Sequence, residues 1–119
     1  MSENKVYFAL KASFEGDVEK LLAFLNKSSL KKQIPSMIGC NKKPMSAHQV
    51  FRVRYAYCAF RLLAEEFGEN FALGWFSRLN ICLGQRTPIS AIRHYSPEKL
   101  SHILKAAMAC IQAAHGILP

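Results

Sequence analysis

From residue 20 to residue 64 the chain carries no aspartate or glutamate, while Lys20, Lys27, Lys31, Lys32, Lys42, Lys43, Arg52, Arg54 and Arg61 all fall inside that span. A block of one sign that long is the footprint of a polyanion or an acidic protein partner, or else a solvated face. Other absences narrow the field. No C-x-x-C pair occurs among Cys40, Cys58, Cys82 and Cys110, so the spacing offers no zinc signature. No apolar run approaches the roughly 20 residues of a membrane helix. No positive start followed by an apolar stretch and a small-residue cleavage site opens the chain, so a cytoplasmic protein without a membrane partner is expected. There is no Gly-rich phosphate loop, His48, His94, His102 and His115 are too far apart for an H-x3-H pair, and Ser77, Ser90 and Ser101 lack a nucleophile elbow. An enzyme and a bound cofactor are therefore not expected. Period-two alternation of β-branched residues is nearly missing, which argues against a sheet.

What the chain does have is 119 residues, half of them apolar, enough for one modest core. The expected fold is all-α, a single compact helical domain with a long central helix. Residues 3–14 fit a first helix stopped by Gly16; Asp17 caps a clearer one over 18–27, with Val18, Leu21, Leu22 and Leu25 on one side. Residues 30–38 fit a short third helix limited by Pro35, and 39–45 reads as a loop. Ser46 and Gln49 have capping-box spacing for the central helix, which should run to Phe67 and end at Gly68. Its apolar positions Val53, Ala56, Tyr57, Phe60, Leu63, Ala64 and Phe67 recur with helical period. Residues 70–79 and 88–93 predict two short helices. Ser96-Pro97 should open a last one, with an apolar stripe of Leu100, Ile103, Leu104, Ala107, Met108 and Ile111 and with Gly116 as its closing residue.

The stretch between these short helices is the most specific. Trp75, Asn80, Leu83, Gly84, Arg86, Thr87 and Pro88 stand in the order W-x4-N-x2-L-G-x-R-T-P. Thr87 suits an N-cap and Pro88 an N1 position, Gly84 suits a positive φ, and Asn80 suits a local side-chain cap. With Phe67-Gly68 upstream and a helix ending at His115-Gly116 downstream, this pattern resembles the toxin-binding domain of the MbcA/ParS/Xre family of bacterial antitoxins. The resemblance spans roughly residues 50–118. Two positions depart from it: Gln85 stands where a second glycine is frequent, and Leu79 where proline often precedes the asparagine.

The resemblance implies a division into an N-terminal helical region, 1–45, as a candidate degenerate helix-turn-helix, and a toxin-binding-like domain, 46–119. It implies the antitoxin half of a type II pair, a homodimer or a hetero-oligomer with its toxin, whose cognate partner is a RES-type NAD-consuming toxin blocked at its active site. Asn80, Arg86, Thr87, His115 and Gly116 become the candidate toxin contacts. Arg86 can clamp a carboxylate in two places or bridge to a nearby helix end. Trp75 suits the core. The alternative is a basic nucleic-acid-binding accessory or regulatory protein with no toxin. Its DNA contacts would be Lys27, Lys31, Lys32, Lys42, Lys43, Arg52 and Arg54, gripping phosphates without reading sequence, because Asn41-Lys42-Lys43-Pro44 stands where a recognition helix would be needed.

Overall fold

The computed structural model describes residues 11, 16–28, 39 and 45–116, with the side chains of 22, 24 and 26–28 outside that set. The helices expected over 3–14 and 30–38 lie mostly or wholly outside the described residues. What is described is all-α: α1 (Val18–Ser28), α2 (Ala47–Phe67), α3 (Glu69–Trp75), α4 (Pro88–His94) and α5 (Ser101–Ala114), with 3-10 turns at Ile81–Leu83 and Pro97–Lys99. The described residues contain no strand, and one isolated bridge pairs Asn80 with Arg86. None of their helices is long and apolar enough to cross a membrane.

Helix α2 is the axis on which the rest packs, touching α1, α3 and α5. Its start is set locally: the Ser46 hydroxyl accepts from the Gln49 N–H at 3.2 Å, and the Gln49 side-chain oxygen accepts from the Ser46 N–H at 2.8 Å. This reciprocal bond satisfies two donors that a helix start leaves open. The Gln49 amide also donates to the Gly39 carbonyl at 2.9 Å, fastening the preceding segment to the cap. At the other end Gly68 turns the chain with φ 91, a conformation costly for a residue with a Cβ.

The buried surface of α2 is wider than one stripe. Val53, Ala56, Phe60 and Leu63 are buried as their spacing predicts, but Cys58, Ala59 and Leu62 are buried too. Tyr57, Ala64 and Phe67 are only partly covered. Neighbours on several sides account for this. Leu21 and Leu25 of α1 join the same core as Ile103, Leu104, Ala106, Ala107 and Ile111 of α5. Phe60 stacks on Phe76 at 6.5 Å, and Trp75 meets Phe76 edge-on at 5.2 Å.

Two element boundaries differ from the sequence expectation. Helix α3 begins at Glu69 and ends at Trp75, four residues before the expected end at 79. Its last amides turn tightly, Ser77 N–H to Gly74 O at 3.1 Å and Arg78 N–H to Trp75 O at 3.3 Å, which closes the helix. Ser96-Pro97 opens a 3-10 turn, and regular α-helix starts only at Ser101. The end of α5 is as expected: Gly116 has φ 71 and its N–H returns to the Ala113 carbonyl at 3.1 Å.

Candidate functional site

The turn from 79 to 87 is organised by one side chain. Asn80 is extended (φ −131, ψ 121), and its Oδ1 accepts from the Cys82 N–H at 2.9 Å, capping the 3-10 turn. Its carbonyl accepts from the Leu83 and Gln85 amides, each at 3.0 Å, and its own N–H donates to the Arg86 carbonyl at 2.9 Å. The chain then reverses through two consecutive left-handed residues, Gly84 (φ 66) and Gln85 (φ 64). A positive φ favours glycine, so Gln85 is held there at a cost in backbone energy. Thr87 caps α4 through its hydroxyl, accepting from the Ser90 N–H at 3.1 Å, with Pro88 at the first helical position. The Ile89 N–H donates to the Phe76 carbonyl at 3.1 Å and ties α4 back to the end of α3.

A backbone held this firmly presents its side chains in fixed directions. Leu79 is 70% exposed and Ile81 79% exposed, on either side of the partly buried Asn80. The sequence expectation places Leu79 at the end of a helix and does not single out Ile81, so the exposure of both is a finding of the structure. They edge an open apolar groove of about 410 Å³, whose walls include Phe71, Trp75, Ala106, Ala109, Cys110 and Ala113. Arg78 also lines it, with its guanidinium 5.0 Å from the centre of the Phe71 ring. Gly74 leaves the room, because a Cβ there would stand 2.9 Å from an Arg78 guanidinium nitrogen. The C-terminal half of α5 and the motif turn thus form the two sides of one groove.

No protein-family model, curated protein or solved structure matches this chain. The site therefore stands on its own geometry and on the sequence pattern.

Of the expected toxin contacts, Asn80 and Thr87 are partly buried and serve as caps, while Arg86 is exposed with its backbone fixed by Asn80. Among the described residues the Arg86 guanidinium has no hydrogen bond or ion pair. His115 and Gly116 are exposed at the end of α5 but do not line the groove. Instead His115 Nε2 lies 3.0 Å from Glu66 Oε2, joining the ends of α5 and α2. Of the expected DNA contacts, Lys31, Lys32, Lys42, Lys43 and the Lys27 side chain lie outside the described residues. Arg52 and Arg54 are half-buried, and Arg54 Nη1 donates to the Gly16 carbonyl at 2.8 Å, pinning the start of α1 to α2.

Among the described residues no cluster of three His, Cys, Asp or Glu side chains can hold a metal ion. Burial pushes the Cys58 thiol up to about 12, partly opposed by the nearby Arg61 charge, so it is a protonated core residue rather than a nucleophile. Cys110 is also raised, by burial first, with Arg78 opposing it and Cys82 reinforcing it. The motif turn brings together a capped backbone, two exposed aliphatics, an apolar groove and a flanking guanidinium.

Proposed function

We propose that this chain is the antitoxin half of a type II toxin–antitoxin pair, binding a cognate protein toxin, of the RES-type NAD-consuming class, and blocking its active site. The single observation that carries the reading is the rigid turn presenting Leu79 and Ile81 to solvent beside an apolar groove. Large aliphatics held outward by a fixed backbone leave an ordered surface with no internal partner, which is what a protein interface requires. The W-x4-N-x2-L-G-x-R-T-P pattern over the same residues supports a toxin as that partner.

In this reading Leu79 and Ile81 supply the apolar contact and Arg86 a charged anchor beside it. Asn80 and Thr87 contribute indirectly, by holding the turn through their caps. The test is affinity between the purified chain and the toxin encoded by a neighbouring reading frame. Arg86→Ala should leave the melting temperature nearly unchanged and weaken the complex by about 2 kcal/mol, the loss of a desolvated anchor. Wild-type affinity in that variant would remove Arg86 from the interface.

A second reading, a nucleic-acid-binding accessory protein, is favoured by the acid-free span of residues 20–64. Competition between DNA and toxin candidates for the purified chain separates the two.

A further inference from the structure

Beside the motif turn, two cationic side chains and one imidazole, from three different segments, line one open cleft of about 520 Å³. Arg86 comes from the turn, His94 from the last turn of α4, and Lys99 from the 3-10 turn that precedes α5. Cys82, Leu83, Gly84, Tyr95 and Ser96 complete the lining, and no carboxylate is among it. We propose that this cleft is a binding site for a small phosphorylated ligand, whose phosphoryl oxygens are held jointly by Arg86, His94 and Lys99.

The walls are built rather than incidental. The Arg86 carbonyl is fixed by the Asn80 N–H, and the left-handed residues Gly84 and Gln85 shape the approach to it. The Tyr95 N–H bonds the Ala91 carbonyl at 2.8 Å, and its own carbonyl lies 3.0 Å from His48 Nε2 on α2. Its ring meets His102 of α5 edge-on at 6.1 Å. The cleft is thereby anchored to both long helices. Glu98, on the same 3-10 turn as Lys99, is already engaged: its own backbone N–H and then the Ser96 hydroxyl hold its carboxyl below the usual carboxylate range. It is outside the lining, so Arg86 and Lys99 meet no carboxylate within the cleft.

Charge and shape choose the ligand class. A lone carboxylate has one charge and two oxygens, which a single guanidinium satisfies in bidentate fashion. Three donors from separate segments match a group with charge near −2 and three acceptor oxygens, which describes a phosphoryl group. The volume lies within the range of about 300–1,000 Å³ typical of small-molecule sites. The two linings share only Cys82, but Arg86, the anchor proposed for the partner, belongs to this cleft, so Arg86→Ala perturbs both readings while Lys99→Ala and His94→Gln perturb this one alone.

Calorimetric titration of the full chain with inorganic pyrophosphate, at near-physiological salt, tests the assignment. Saturable one-to-one binding is expected, weakened about tenfold or more by Lys99→Ala, as loss of one charge-assisted contact implies, and to a smaller extent by His94→Gln, which removes the imidazole contact. Lys105→Ala removes the same charge from an exposed position on α5 outside the cleft and should change affinity less than about twofold. Both cleft variants are at exposed positions, and unchanged melting temperatures confirm that they fold. No saturable binding by the wild type, or equal weakening by Lys105→Ala, would overturn the proposal. Toxin capture by Lys99→Ala is expected to persist, so failure of the partner reading and failure of this one give different results.

Discussion

Replacing Trp75 by alanine and by phenylalanine gives two different energies, and because both remove the indole N–H the difference measures the ring packing that phenylalanine keeps. The indole is 4% exposed, edge-on to Phe76, which in turn stacks on Phe60 of the central helix. Truncation to alanine removes a large buried ring from this chain of contacts and should cost about 3–5 kcal/mol. The indole N–H, however, is buried with no hydrogen-bond partner among the described residues. An orphaned buried donor costs about 1–3 kcal/mol, and phenylalanine deletes it while keeping much of the ring. Trp75→Phe should therefore lose no more than about 2 kcal/mol, the smaller ring offset by the relieved donor. Urea unfolding followed by far-UV circular dichroism reads both variants without relying on tryptophan fluorescence. A separation of at least about 1 kcal/mol between them is expected. Equal losses in the two variants would show that a smaller ring recovers none of the indole's packing, and a loss below about 1 kcal/mol in Trp75→Ala would show that the ring is not core.

Other outcomes follow from the same geometry. Gln85→Gly should stabilise the fold by about 0.5–1 kcal/mol in thermal melts, because a side chain at φ 64 is strained and glycine is not. Gly84→Ala should cost about 1–2 kcal/mol for backbone reasons alone, since a Cβ there meets nothing within 4 Å. Cys58 links stability to alkaline pH: its thiol is raised from an ordinary 9.0 to about 12, so the stability it contributes is complete below pH 9.0 and is lost as pH rises toward about 12. Wild type should lose melting temperature over that window more steeply than Cys58→Ala, and parallel curves would remove the linkage. In a Cys40→Ser background at pH 8, a thiol reagent should label exposed Cys82 well before Cys110, with Cys58 reacting only on unfolding. If the basic span grips nucleic acid through phosphates, Lys42→Ala with Lys43→Ala should weaken random and chosen duplexes alike and flatten the salt dependence of binding.

The parts of this fold that short-range chemistry decides were readable in advance. Ser46 with Gln49, Thr87 with Pro88, Asn80, Gly84 and Gly116 each act within a few residues, and each takes the structural role its type suggests. What long-range contact decides was not readable. The burial of Cys58, Ala59 and Leu62 depends on partners covering more than one side of α2, so a single helical stripe understates it. The early end of α3 depends on the turn that follows, where apolar Leu79 is turned outward instead of continuing a helix. The cleft of Arg86, His94 and Lys99 could not be assembled from spacing, because α4 and the 3-10 turn bring those residues together. Exposure of Leu79 and Ile81 belongs to the same class: the residue types suggest a core, and only the capped turn shows that they face solvent.

The central claim, that the rigid turn neutralises a toxin through its exposed aliphatics, is tested most directly by growth rescue. The chain is co-expressed with the toxin encoded by the neighbouring reading frame, as wild type and as Leu79→Asp with Ile81→Asp. Both substitutions are on the surface and should leave the melting temperature nearly unchanged, but they remove two buried anchors from the complex. At about 1.5–3 kcal/mol per buried aliphatic, affinity should fall at least a hundredfold. The account predicts full rescue by the wild type and none by the folded double variant; full rescue by that variant, or none by the wild type, would contradict it.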